Sequence, residues 1–228
     1  MVFSDKTMSF VGCITQFYFF ASVTGGELFI LTVMSYDRYV AICNPLHYHM
    51  IMNGRVCVLL AVTCWFLALM EVVPIVVILS DFTCYFSTEI NHFFCDVIPL
   101  IKLICSDTSR LDLAVFVIAA FLSTLPSVFT FTPYIFIIIT ILRINSSTGR
   151  RKAFHTCSSH LTVVIMFYVT LICQYLRPAS SENVQANKLI ALFNTSATPV
   201  LNPLIYSLNN KDVKIALRHR LKKCKMVV

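Results

Sequence analysis

The chain of 228 residues is 57% hydrophobic and 13% charged, with a mean hydropathy of +0.78. A soluble domain has about a quarter of its residues charged, and 19 Phe against five Gly argue against a disordered or fibrous chain. The net charge of +7 could suggest a nucleic-acid partner, but the long apolar runs that carry most of the sequence point to a lipid bilayer instead.

A membrane-spanning helix needs roughly 20 apolar residues, so the length accommodates about five spans with connectors. Met1–Ser9 is polar, with neither a basic n-region nor a small-residue cleavage site, so the first span is expected to act as the insertion signal. Segments expected inside hold 13 Lys and Arg against two acids, Asp37 and Asp212. Those expected outside hold five, Lys6, Lys102, Arg110, Arg177 and Lys188, against seven acids. Basic residues remain on the cytoplasmic side, which predicts an amino terminus outside and a carboxyl terminus inside. The basicity reflects topology, and nucleic acid is not an expected partner.

The first span is predicted over 10–36. It contains Gly25-Gly26-Glu27, and an acid at membrane depth faces a bundle interior, an ion or a hydrogen-bonding neighbour. The span runs into Met34-Ser-Tyr-Asp37-Arg38-Tyr39-Val-Ala-Ile-Cys43-Asn-Pro45-Leu-His47-Tyr48, where an Asp-Arg pair sits at the exit from the bilayer and an Asn-Pro turn halts the helix. Asp37 can neutralise Arg38 near the headgroups, and Arg38 can swing toward water when released. That arrangement suits a two-state switch. The plainer reading is an interfacial anchor, since Arg and Tyr collect at helix ends.

The second span is predicted over 56–79, with Trp65 packed in mid-helix, Pro74 as a kink and Glu71 as a second buried acid with no assigned role. A long outer loop over 80–112 follows. Of ten Cys, only Cys13, Cys84, Cys95 and Cys105 fall at or beyond the outer face. An even set on the oxidising side reads as disulfides, with three connectivities open. A zinc site built on His92 and Cys95 is the rival, with poor ligand spacing.

The third span is predicted over 113–142 with Pro126 and Pro133 inside it, which membrane helices tolerate when neighbours satisfy the freed carbonyls. The basic stretch Arg143–Lys152 leads into Lys152-Ala-Phe-His155-Thr-Cys157-Ser-Ser-His160-Leu-Thr. Cys157 and His160 lie one turn apart. As a catalytic dyad they lack oxyanion donors and an orienting third group, and no enzyme active site emerges. The fourth span is predicted over 156–176 and contains Phe167-Tyr168. The last, over 188–208, is weakened by Asn194, Thr195, Ser196, Thr198 and Asn202. In Pro199-Val-Leu-Asn202-Pro203-Leu-Ile-Tyr206, Pro203 frees a carbonyl and permits a hinge, Asn202 can bond internal water, and Tyr206 lies one turn lower. Beyond it, Val213, Leu217 and Leu221 recur every four residues amid Lys211, Lys214, Arg218, Lys222 and Lys223, which predicts an amphipathic helix over 209–223 on the anionic inner leaflet.

Four separated strings together resemble one family. The Asp37-Arg38-Tyr39 string, His92-Phe-Phe-Cys95-Asp96, the Lys152 string and the Asn202-Pro203 string are similar, in that order, to signatures of olfactory receptors, which are rhodopsin-like G-protein-coupled receptors. The resemblance covers essentially the whole chain and matches helices 3 to 7, so the first two helices of a seven-helix receptor are expected to be missing. It implies an all-α membrane protein: five transmembrane helices of a seven-helix bundle plus a C-terminal amphipathic helix, as one truncated receptor-like domain over 1–228. Four departures stand out. Pro133-Tyr134 replaces the usual Ser-Tyr, His155 the usual Ser, Val169 the usual Gly after Phe-Tyr, and Asn209 the usual Arg.

The resemblance also implies roles. Cys13 would bond Cys95, leaving Cys84 to bond Cys105. Asp37, Arg38, Tyr39, Tyr134, Lys152, His160, Asn202, Pro203 and Tyr206 would form the G-protein switch. Glu27 matches a family sodium ligand whose partner sits on the missing second helix. By offset from these motifs, Phe20, Ala21, Thr24, Gly25, Ile118, Leu122, Tyr168, Leu171, Tyr175 and Thr195 would line a mostly apolar ligand pocket. No acid is expected at that level, so a cationic amine is disfavoured. No cofactor is expected. The expected partners are a small odorant, a heterotrimeric G-protein alpha subunit and the lipid bilayer, at the plasma membrane. The alternative is a truncated, non-signalling receptor product retained in the endoplasmic reticulum.

Overall fold

A computed structural model of the chain describes residues 7–87, 89–175, 184–193 and 195. These residues are almost wholly helical. α1 runs Phe10–Cys43 and is followed by a 3-10 turn over Pro45–His47 and the short α2, Tyr48–Ile51. α3 is Gly54–Ser80, α4 Val97–Ile101, α5 Ser109–Leu142, α6 Ser147–Tyr175 and α7 Val184–Leu192. No strand occurs among the described residues; Tyr85 and Ile104 form one isolated antiparallel bridge. The protein is an all-α membrane protein.

Four helices are long and apolar enough to cross a membrane: Phe10–Cys43, Gly54–Ser80, Ser109–Leu142 and the Cys157–Gln174 part of α6. Their apolar side chains point outward as well as inward. Val62 and Phe66 of α3 and Phe116 and Phe129 of α5 are all more than half exposed. In water such surface would drive aggregation; in a bilayer it faces its proper solvent.

Helices exceed the apolar spans that predict them. α1 continues seven residues past Tyr36 until Asn44-Pro45 stops it, since the residue before Pro is pushed out of the helical region. α6 begins at Ser147, taking Arg150 and Arg151 into its first turns. Backbone hydrogen bonding outlasts the hydrocarbon, so helix and span have different ends. α5 is continuous through both Pro126 and Pro133. α3 starts on a cap, the Asn53 side chain accepting from Val56 N at 3.1 Å. The predicted last span lies within the described residues only up to 195, and the tail over 209–223 lies outside them.

The chain forms two compact units, one from Met1–Met34 with His47–Thr130, the other from Ser35–Leu46 with Phe131–Val228. In the first, α3 buries Cys64, Ala68, Val72, Ile75 and Leu79, a helical stripe. Ala68 and Trp65 pack at Gly26 of α1, and the Tyr18 hydroxyl donates to the Leu69 carbonyl at 3.3 Å. The Thr32 and Thr130 hydroxyls meet at 2.9 Å. In the second unit the core is Tyr134, Ile137, Ile141 and Cys157, with Tyr39, Ile42, Cys43, Ala153 and Leu161 packed against it.

Candidate functional site

The second unit gathers the candidate switch residues that the structure describes. The last turns of α1 present Asp37, Arg38 and Tyr39, all half-buried, and Asp37 is engaged in an interaction. Tyr39 packs its ring edge-on to Phe136 of α5, with centroids 5.9 Å apart, and lies against the Tyr134–Cys157 core. One turn after Tyr39, the Cys43 thiol and the Thr140 hydroxyl of α5 are 3.2 Å apart. This second α1–α5 tie had no sequence signal beyond two small polar residues on apolar helices.

Tyr134 and His160 are both buried, and the Tyr134 hydroxyl is hydrogen-bonded to His160 Nδ1. Pro133 leaves the helix unbroken, so its neighbour Tyr134 keeps its place in the core. On α6, Cys157 and His160 are one turn apart and both buried, and the Arg38 guanidinium acts electrostatically on both. Tyr134, Cys157 and His160 are therefore polar groups set among buried apolar side chains, with Tyr39 packed against that core and Arg38 within electrostatic reach. A buried polar group is costly unless paired, so any arrangement that parts them must offer new partners. The Lys152 side chain and Asn202, Pro203 and Tyr206 lie outside the described residues.

The candidate pocket residues fall in both units. In the first, Phe20 stacks on Phe94 of the 81–108 loop with centroids 4.6 Å apart, and Ala21, Ile118 and Leu122 are half-buried. The Thr24 hydroxyl donates to the Phe20 carbonyl at 3.0 Å, which leaves its oxygen as an acceptor. In the second, Tyr168 is buried against Phe131 at 5.5 Å, Leu171 is half-buried, and the Thr195 hydroxyl donates to the Ala191 carbonyl. The Tyr175 side chain is outside the described set.

One expectation is corrected here. The pocket-level wall of α1 does hold an acid: Glu71 of α3 lies directly on Gly25, where a Cβ would stand 2.8 Å from Glu71 Cδ and collide with Oε1. Glu71 is 46 residues away in sequence, and spacing within one helix cannot reveal a contact made by another. The Gly25-Gly26 pair was the available hint, since paired glycines in a membrane helix mark a close approach.

The loop over 81–108 is tied to α1 at several points. Cys13 and Cys95 are disulfide-bonded with Cα atoms 5.4 Å apart, as are Cys84 and Cys105 at 5.5 Å. Cys95 N donates to Gln16 Oε1 at 3.2 Å. His92 Nδ1 lies 3.1 Å from the Phe94 carbonyl. With its sulfur bonded to Cys13, Cys95 cannot serve as a thiolate, which removes the zinc reading. Glu27 is half-buried and engaged rather than partnerless. No group of three His, Cys, Asp or Glu that could hold a metal ion occurs among the described residues.

The sequence model of the family described as "Olfactory receptor" matches residues 1–224. The chain is 45% identical over 217 residues to human "Olfactory receptor 2T10", which covers 95% of this chain and 70% of that protein. It is 44% identical over 223 residues to human "Olfactory receptor 6C1", covering 98% and 72%. Against mouse "Olfactory receptor 5G25" it is 47% identical over 219 residues, covering 95% and 68%.

Proposed function

The chain belongs to the olfactory receptor family, and from that premise we propose that it detects small odorant molecules and signals to a heterotrimeric G protein through its alpha subunit. The protein is not an enzyme. The residues that the family resemblance assigns to odorant contact are Phe20, Ala21, Thr24 and Gly25 of α1, Ile118 and Leu122 of α5, and Tyr168, Leu171, Tyr175 and Thr195. A mostly apolar lining with a few hydroxyls, and with the Glu71 carboxyl against Gly25, suits a small ligand of limited polarity. The amino terminus is outside and the carboxyl terminus cytoplasmic, as the distribution of Lys and Arg favours, and the protein resides in the plasma membrane.

The observation that carries the signalling half is the buried Tyr134–His160 hydrogen bond beside Arg38. It ties α6 to α5 at the level where α1 presents its Asp-Arg-Tyr string. Odorant binding favours a state in which the inner end of α6 leaves Arg38 and opens a cleft for the alpha subunit. A ligand moves such an equilibrium only through its differential affinity for the two states. Breaking a buried hydrogen bond costs about 1–3 kcal/mol, which is within reach of small-ligand binding energy.

The test is a surface-labelled, tagged full chain challenged with an odorant panel, with cAMP as the readout. A response to at least one odorant is expected. Silence across the panel with the label at the surface would sink this reading, and a label confined to the endoplasmic reticulum would favour a retained, non-signalling product.

A further inference from the structure

We propose that Glu71, together with Ser22, forms a site for the ammonium group of a small primary amine in the notch above Gly25. The assignment rests on the odorant-binding reading and names a ligand class within it.

Three observations converge on the notch. The Glu71 carboxyl occupies the space that any side chain at Gly25 would fill, so glycine is what lets an acid reach α1 at this level. Glu71 Oε2 is buried and has no hydrogen-bond partner among the described residues. Ser22 is 1% exposed, and its Oγ is likewise buried with no partner among the described residues. Ser22 lies three and four residues before Gly25 and Gly26, which puts all three on one face of α1.

Two buried oxygens, one on this face of α1 and one on the α3 side chain that meets it, receive no hydrogen bond among the described residues, which is costly in a membrane. An alkylammonium, with three donors and no acceptor, can donate to both oxygens, while the Ser22 hydroxyl turns its own proton back to the helix backbone. An alkylamine is protonated at pH 7, as the lysine side chain is. Its short chain can lie on the apolar stretch that includes Phe20 and Ala21, residues of the same α1 wall. Trp65 stands beside the notch, its ring 3.4 Å from the Cβ position of Gly26, and it is the one tryptophan in the sequence. Its fluorescence therefore reports on this site without any signalling step.

The test uses the full chain in lipid nanodiscs, titrated with hexylamine and with hexanol while Trp65 emission is followed. Hexylamine is expected to shift the emission at roughly tenfold lower concentration than hexanol, or less, as charge-assisted hydrogen bonds imply. Glu71→Gln, a neutral isostere, should abolish that preference. Ser22→Ala should weaken hexylamine alone and provides a second reading should the Glu71 variant fail to insert. Equal responses to the two probes, a preference that survives both substitutions, or no response to hexylamine would overturn the proposal. So would an equal emission change with sodium chloride in place of the amine, which would make the site one for a metal cation. An odorant panel that triggers cAMP with neutral odorants while hexylamine fails would remove this site and leave the receptor reading standing.

Discussion

Tyr134 on α5 and His160 on α6 are joined by a hydrogen bond between two buried side chains 26 residues apart. Neither helix could present its polar group to lipid at so little cost, so each is held in rotation by the other. Arg38 lies within electrostatic reach of His160, which connects this bond to the end of α1.

Replacing Tyr134 with Phe keeps the ring and removes the hydroxyl. The loss of about 1–3 kcal/mol falls on the state in which α6 is tied to α5, so basal cAMP should rise severalfold at equal surface density. A basal level at or below that of the parent chain would show that the bond belongs to the signalling state instead.

Gly25→Ala drives a methyl group into the Glu71 carboxyl. Overpacking of this kind costs typically 1–3 kcal/mol, so the amount of folded, surface-labelled protein should fall. Gly25→Ala combined with Glu71→Ala should recover most of the loss, and the interaction energy of the double-mutant cycle measures the contact directly. Simple additivity would mean that the two residues do not touch.

The two disulfides should differ in worth. Cys13–Cys95 spans 82 residues and Cys84–Cys105 spans 21. In the chain-entropy picture these loops correspond to about 4.5 and about 3.3 kcal/mol. Surface labelling should therefore drop further for the paired serine substitution of Cys13 and Cys95 than for that of Cys84 and Cys105. The reverse order would argue that the short loop carries contacts of its own.

Asp107 accepts from both the N–H and the hydroxyl of Ser109 at the start of α5. These bonds favour its charged form and hold its carboxyl below the ordinary carboxylate value, with Arg110 adding a smaller pull. A depressed carboxylate contributes above its unfolded-state value and is lost as pH falls through the folded one. Amide hydrogen exchange at the first turn of α5 should therefore be steady near neutrality and quicken in acid. In Asp107→Asn the acid-induced part of that quickening should disappear, once intrinsic exchange rates are corrected for.

Much of the fold was legible because lipid acts as a solvent that sorts residues one at a time. The runs holding Phe116 to Ile139, or Val56 to Leu79, are apolar whatever they touch, and summed hydropathy marks them as helices that cross a membrane. The same holds for the four outer cysteines, sorted by redox compartment before any pairing is known. The limits of the helices were less legible. The Asn44-Pro45 turn did mark the end of α1 at Cys43, but α6 begins at Ser147, ahead of its apolar span, because intrahelical hydrogen bonds persist in the wet interface, where hydropathy no longer carries a signal.

The candidate site divides along the same line. The Asp37-Arg38-Tyr39 and Lys152-to-Leu161 strings marked which residues matter, and family membership follows from them. Composition and order along the chain were thus enough to determine the kind of protein and the solvent it lives in. That Glu71 seats on Gly25, that the Tyr134 hydroxyl meets His160, and that Thr140 meets Cys43 was decided only by tertiary structure. Each depends on how far one helix is rotated and translated against another. That rotation is chosen by the packing of many side chains at once, and no single stretch of sequence encodes it.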